Sequence, residues 1–362
     1  MFRLRASVLI LALVTLLAVT ACTRADSDAT AASPGDATAT APEVRLGYFP
    51  NVTHAPALIG VEAGLFTAEL GRATLTPQTF NTGGEAVAAL LGGSLDVTYI
   101  GSGPAINAFA KSKGAAVRLV AGAAQGGAQL VVRPEIIGVE QLRGRTLATP
   151  QPGNTQDIAL KTWLPANGLA LGEGPEQVQI ANLDNPRTLD AFRRGSVDGG
   201  WLPEPWSSRL VLEAGAQVLI DERALWPGGG FPTTVLLVRT EFLQRYPGTV
   251  RALLRGHLAA LDLAATDEAR AKTLVNQGLE KLTGNQLTAP VLDRAFDNIT
   301  LDPDPLAATF PKLAQDSVTA GISEKLPDLA GFVDVGPLNT ELAAARRPAI
   351  DAAGLDKPGG TS

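Results

Sequence analysis

The sequence predicts an α/β protein of two lobes, each a mostly parallel sheet flanked by helices. Three observations carry this reading. From Glu43 onward, short apolar β-like runs alternate with segments of helical period, the pattern of parallel strands joined by crossover helices. One turn occurs twice in the same setting, as Gly93, Ser94, Leu95, Asp96 and as Gly195, Ser196, Val197, Asp198. Each copy follows a helix-period segment, starts a strand and leads to a proline-bearing loop, so two lobes built on one plan are expected. Past Leu236 the text becomes helical, as expected of a tail that packs back on the first lobe.

In chain order, residues 1–21 read as an export signal: Arg3 and Arg5, an apolar run over 6–19, then small residues before Cys22. The run is short for a membrane-spanning helix. Val19, Thr20, Ala21 and Cys22 together resemble the lipobox of bacterial lipoproteins, which implies a lipid on Cys22 and several acyl chains holding the protein to a membrane. Cys22 is the single cysteine of 362 residues, so a disulfide within the chain and a catalytic thiol are both excluded. Residues 22–42 are mainly Ala, Thr, Ser, Asp, Gly and Pro and are expected to form a flexible, lipid-anchored linker.

The first lobe is expected over 43–131. Strands are read at 44–48, 74–80 and 95–100, and helices at 56–66, 85–91 and 104–111. Pro104 suits a first helical turn, where a missing amide costs nothing. The second lobe is expected over 132–235, with a strand at 146–149, an amphipathic helix carrying Ile158 and Trp163, and the second copy of the turn. Gly93 and Gly195 should each end a helix in the left-handed conformation. Residues 236–345 return to the first lobe, with helices at 249–265, 267–282, 290–299 and 311–321, and 346–362 form a tail. Apolar runs at 130–133 and 235–239 are the expected crossings between lobes.

The formal charge is −6 with no basic run, which argues against a nucleic-acid partner. No catalytic, metal or cofactor set is found. The two histidines, His54 and His257, have no second ligand at metal spacing, and neither a Walker nor a GxSxG motif occurs. His257 shares a helical face with Val250, Leu253, Leu254 and Leu261 and reads as a core residue.

Open α/β sheets bind ligands beyond the carboxyl ends of their strands. The loops expected there are Tyr48 to His54, Asn81 to Gly84, Gly101 to Gly103 and Pro150 to Gln156. They are small, neutral and rich in donors, and each opens a helix, so free amides and positive helix ends would converge on a compact anion. Asn154 and Asp157 are equally consistent with a helix cap, and His54 with a capping role. Tyr48, Phe49, Trp201, Trp206 and Phe231 could wall an apolar tail.

Four stretches resemble the extracytoplasmic substrate-binding proteins of ABC importers for aliphatic sulfonates, taurine and nitrate. They are LGYFPNVTHAPALIGVEAGLF, FNTGGEAVAALLGGSLDVTYIGSGPAI, LATPQPGNTQDIALKTWL and FRRGSVDGGWLPEPW. The resemblance implies a type II periplasmic-binding-protein fold with a two-crossing hinge. It also implies ligand contacts among Gly83, Gly84, Ser102, Gly103, Asn154, Thr155, Gln156, Trp201 and Glu204, to which the reading of the cleft loops adds Tyr48, Asn51, His54 and Gly153. Its partners would be a small anionic solute, a permease and, through it, an ATPase. The expected state is a monomer tethered outside the cytoplasmic membrane. PNVTHAP is also similar to binding proteins for thiamine pyrimidine precursors, which leaves the ligand open. An enzyme on the same fold is the other alternative.

Overall fold

The computed structural model describes residues 36–357. The expected signal peptide, Cys22 and most of the linker lie outside the described residues. From Thr38 the linker text is already bound to the body: the Ala41 amide donates to Thr249 Oγ1 at 2.7 Å, and the Gly248 amide to the Ala39 carbonyl at 3.0 Å. Small side chains permit this, because a Cβ on Gly248 would stand 2.6 Å from the Thr38 carbonyl oxygen.

The first sheet starts with β1 (Glu43–Tyr48), α1 (Ala55–Glu62), α2 (Leu65–Leu70), β2 (Thr74–Thr79), α3 (Gly83–Leu91), β3 (Val97–Gly101) and α4 (Ser102–Lys111). The helix expected over 56–66 divides at Gly64, whose φ of 67° only glycine adopts readily. β4 (Val117–Gly126) ends at the first crossing, and β5 (Ala128–Val132) already belongs to the second sheet. There β6 (Thr146–Thr149), α5 (Thr155–Ala166), β7 (Gln179–Asn182), α6 (Asn185–Arg194), β8 (Gly199–Pro203), α7 (Trp206–Ala214) and β9 (Gln217–Asp221) follow. β10 (Pro232–Arg239) returns to the first sheet. The remainder comprises α8 (Thr240–Arg245), α9 (Pro247–Thr266), α10 (Glu268–Thr283), α11 (Ala289–Asp297), β11 (Ile299–Thr300), α12 (Phe310–Thr319) and α13 (Gly336–Ala344).

The strand orders are β11-β4-β10-β3-β1-β2 and β7-β6-β8-β5-β9. The plan is therefore duplicated, as the repeated turn predicts: β1 and β6 each lie between parallel neighbours, β2 and β3 or β7 and β8. In each sheet a strand delivered by a crossing, β10 or β5, is inserted antiparallel between two others.

The crossings lie N-terminal to their expected places. The first is Gly126–Gly127, with φ of 68° and 69°, and the second is the segment 222–231 between β9 and β10. The apolar runs at 130–133 and 235–239 are instead central, buried strands, and burial on both faces is the reason their text is continuously apolar.

One core packs β1, β3 and β4 against α1, α2, α9 and α10, with Leu46, Phe66, Leu254 and Val275 buried in it. A second runs unbroken between the lobes, from Leu90 and Phe109 through Leu147 and Trp163 to Trp201 and Phe310. α12 packs on both α4 and α5, so it bridges them.

Candidate functional site

A cavity of about 50 Å³ lies between the carboxyl ends of the two sheets. Its wall is built largely from helix starts. Gly83 is the first residue of α3, Gly101 precedes α4, Asn154 caps α5 ahead of Thr155 and Gln156, and Asn185 opens α6. First-turn amides have no acceptor inside their own helix, and each helix start carries about half a positive charge. Asn51, Thr53, His54, Asn81, Thr82, Gln151, Thr233 and Thr234 complete the polar lining, and among the described residues no Asp, Glu, Lys or Arg is part of it.

Local bonds set these groups in place. Asn154 Oδ1 accepts from the Asp157 amide at 2.8 Å, so the capping reading of this pair holds, and the cap itself lines the cavity. Asp157 is fully buried yet consumed by its own lobe. It accepts from the Gly153 amide at 2.8 Å, Thr149 Oγ1 at 2.9 Å, Lys161 Nζ at 2.8 Å and Asn182 Nδ2 at 3.0 Å. Thr155 Oγ1 accepts from the Gly103 amide at 3.2 Å, a direct bond between lobes. A second joins them at the rim, where Trp206 Nε1 donates to Asn51 Oδ1 at 2.9 Å. A Cβ on Gly101 would stand 2.6 Å from Thr155 Oγ1, so glycine there is what allows α5 to approach.

His54 stacks on Phe49 at 4.7 Å between ring centroids and accepts at Nδ1 from the Phe49 amide at 3.3 Å. That bond places the ring proton on Nε2. Burial lowers the imidazole pKa to about 3, so at ordinary pH His54 is a neutral donor. Two buried oxygens at the site have no hydrogen-bond partner among the described residues, Asn185 Oδ1 on the wall and Ser102 Oγ beside Gly101.

Of the residues expected at the ligand, Asn51, His54, Gly83, Asn154, Thr155 and Gln156 line the cavity together. Ser102, Gly103 and Gly153 stand directly behind it, with the Gly103 and Gly153 amides already spent on Thr155 and Asp157. Gly84 follows Gly83 one step further from the wall. Tyr48, Trp201 and Glu204 do not line the cavity. Tyr48 belongs to the first core, since alternate residues of β1 point to opposite faces. Trp201 is fully buried against Trp163 and donates Nε1 to Glu222 Oε2 at 2.8 Å. Glu204 is fully buried and turned away toward Arg294 and Asn298. Phe231 is likewise core, against Trp226.

Thr233, Thr234 and Asn185 escaped the sequence reading. Asn185 had a findable signal, since Asp184 and Pro186 mark a helix start of the same kind as Asn154. Thr233 and Thr234 open a strand and carry no local mark. Outside the cavity, Phe49, Asn51, Asn81 and Asn185 also border a second chamber of about 590 Å³, walled by Trp206, Arg209, Asp184, Glu213, Thr283 and residues 285–287.

A cleft of neutral donors between two lobes of one plan coincides with a sequence match: residues 37–276 fit the model of the NMT1-like family. The chain belongs to the NMT1-like family. Among its relatives is the taurine-binding periplasmic protein of Escherichia coli, 30% identical over 209 residues, which are 57% of this NMT1-like chain and 62% of that protein. The match thus spans less than two thirds of that relative's length. The nitrate/nitrite binding protein NrtA of Nostoc is 26% identical over 152 residues, 41% of this chain and 32% of its own. Among solved structures, the alkanesulfonate-binding protein SsuA of Xanthomonas axonopodis, bound to MOPS, superposes with a TM-score of 0.63 at 22% identity, covering 80% of this chain and 96% of that one. The nitrate-binding protein NrtA of Synechocystis gives 0.69 at 15% identity, covering 86% and 91%. The fold is that of the periplasmic binding proteins, as expected.

Proposed function

We propose that this chain is the solute-binding component of an ABC importer. It captures a small anion, an aliphatic sulfonate or taurine ahead of nitrate, and hands it to a permease driven by an ATPase. The observation that carries this reading is the cavity in which α3, α4, α5 and α6 all begin and which no charged side chain lines. Such a site holds an anion by fixed dipoles and neutral hydrogen bonds, without burying a countercharge whose desolvation would cost several kcal/mol. The relatives' taurine, sulfonate and nitrate ligands all have such a head. The outer chamber, reached past Phe49 and Asn51, favours a head that bears a tail.

The chain binds and releases without chemistry. Its lobes, divided at the crossings 126–127 and 222–231, close by hinge motion about them. A lipid on Cys22 holds the protein at the outer face of the cytoplasmic membrane, and the linker keeps it near the permease as a monomeric receptor.

Calorimetric titration with taurine, butanesulfonate, nitrate and an aminopyrimidine tests this. Sulfonate binding near micromolar Kd is expected, about 8 kcal/mol. Binding of the pyrimidine alone, which the unpartnered Asn185 Oδ1 could serve as acceptor, would overturn the anion reading. Turnover of any probe would overturn the receptor reading.

A further inference from the structure

The first crossing, Gly126–Gly127, is bordered by a polar network, buried at Gln129, Glu204 and Ser208 and half-buried at Arg294, Asn298 and Asp221, that reaches the second crossing. Glu204 Oε1 accepts from Asn298 Nδ2 at 2.7 Å and from Arg294 Nη1 at 3.2 Å, and Oε2 accepts from the Ser208 amide at 3.2 Å. The Arg294 guanidinium spreads further: Nη1 donates to Ser208 Oγ at 2.8 Å and Nη2 to Gln129 Oε1 at 2.9 Å. Gln129 donates to Asp221 Oδ2 at 3.1 Å, and Asp221 accepts from Arg223 Nη2 at 2.8 Å, inside the second crossing.

Two features make this more than packing. Arg294 and Asn298 close α11, and the next residues form β11 of the first sheet, whereas Gln129, Glu204, Ser208 and Asp221 all belong to the second lobe. The backbone of Glu204 also ties crossing to cavity. Its amide donates to the Gly127 carbonyl at 2.8 Å and its carbonyl accepts from the Thr53 amide at 3.5 Å, while Thr53 and Pro203 are both cavity wall. Burial raises the Glu204 pKa even against these donors, so the carboxylate depends on its partners.

We infer that Arg294 is a positioning residue for ligand capture, which acts through Glu204 to hold the two crossings in the arrangement that closes Thr53 of one lobe against Pro203 of the other. The inference rests on the reading of the cavity as a ligand site. Separating the lobes must either break the bidentate reach of Arg294 or uncover a buried carboxylate, and both favour the closed arrangement. Lysine has a single nitrogen and cannot reproduce the spread by which Nη1 serves Glu204 and Ser208 while Nη2 serves Gln129.

The test is a distance measurement between the lobes with no solute added. Spin labels on Leu212→Cys of α7 and Leu282→Cys of α10, both exposed, are read by pulsed electron resonance in the full chain carrying Cys22→Ser. The reference chain is expected to show mainly one short distance. Glu204→Gln and Arg294→Met should each shift the short-to-long population ratio by about tenfold, as for a lost charge-assisted hydrogen bond, with Arg294→Lys in between. Taurine affinity should fall only by the loss in the short-distance fraction, which is less than tenfold because that form predominates in the reference chain. Unchanged distances in folded Arg294→Lys and in the neutral Glu204→Gln, Arg294→Met pair would overturn the inference and leave a merely structural network. Whether wild-type protein binds taurine at all tests the ligand reading separately.

Discussion

β3 of the first lobe and β8 of the second are preceded by the same turn and begin alike. Gly93 and Gly195 end their helices at φ of 75° and 80°. The carboxylate of Asp96 accepts from the Arg45 amide at 3.0 Å and that of Asp198 from the Thr146 amide at 2.9 Å, each tying the turn to the neighbouring parallel strand. Three residues on, Tyr99 and Trp201 are both core, and each polar tip meets a buried titratable group. The Tyr99 hydroxyl meets His257 Nδ1 at 2.8 Å and Trp201 Nε1 meets Glu222 at 2.8 Å. Then the lobes part. Gly101, Ser102 and Gly103 open α4 against the cavity, whereas Pro203, Glu204 and Pro205 turn into the crossings. Proline has no amide to offer an anion, and glycine leaves its amide bare. Equivalent places in a repeat therefore share their packing role and divide their ligand role by side chain.

The largest effects should come from breaking the shared part. Asp96, nearly fully buried between Arg45 and Arg239, should cost about 3–5 kcal/mol when changed to Ala, because Arg45 loses its partner and Arg239 keeps only the exposed Glu241. Asp198, more exposed, should cost about 1–2 kcal/mol in the same urea unfolding experiment. Equal losses would mean that the turns are not one device with two burials. Trp201→Ala should cost about 3–5 kcal/mol and leave the ratio of taurine to hexanesulfonate affinity unchanged. Trp206→Ala, on the outer chamber, should move that ratio with little loss of stability. A changed ratio for Trp201→Ala would return that residue to the ligand.

The cavity itself should respond less in energy but more selectively. Asn154→Ala and Thr155→Val should each weaken sulfonate binding about tenfold, the order of a hydrogen bond to a charged group, as read by calorimetry. Loss of the cap would cost about 1 kcal/mol of stability for Asn154→Ala alone.

The smallest change is expected with pH. His54, lowered to about 3, stays neutral, so affinity should vary less than about twofold from pH 6 to 8. Stability should vary more visibly. His54 and His257 are held to about 3 and 4, below their unfolded value of 6.5, so stability falls as pH drops below 6.5. Glu222 is raised to about 8 from 4.5 by burial, so its contribution is lost as pH rises between those values. Glu222→Gln should flatten the alkaline slope of Tm, and an unaltered slope would assign it to another group.

Much of this was legible locally. The repeated turn, the helix starts at Gly83 and Asn154, and the core role of His257 follow from residues within a few positions of one another. Trp201 and Glu204 were expected at the ligand from the resemblance, and in this chain they point into the core and toward the crossings instead, which no local pattern announces. The crossings were misplaced for a related reason: an apolar run announces a buried strand, not the sheet it joins.

By itself, then, the sequence determined the α/β alternation, the duplication and the neutral chemistry of the helix-opening loops. Those properties are set by hydrogen bonds and periodicities that span one element. Only the tertiary structure decided that Asn51, Gly83, Gly101, Asn154, Asn185 and Thr234 share one cavity and that Glu204 does not. A cavity is the intersection of segments far apart in the chain, and their meeting depends on the strand order and on two glycines at a crossing that no local pattern ranks above the others.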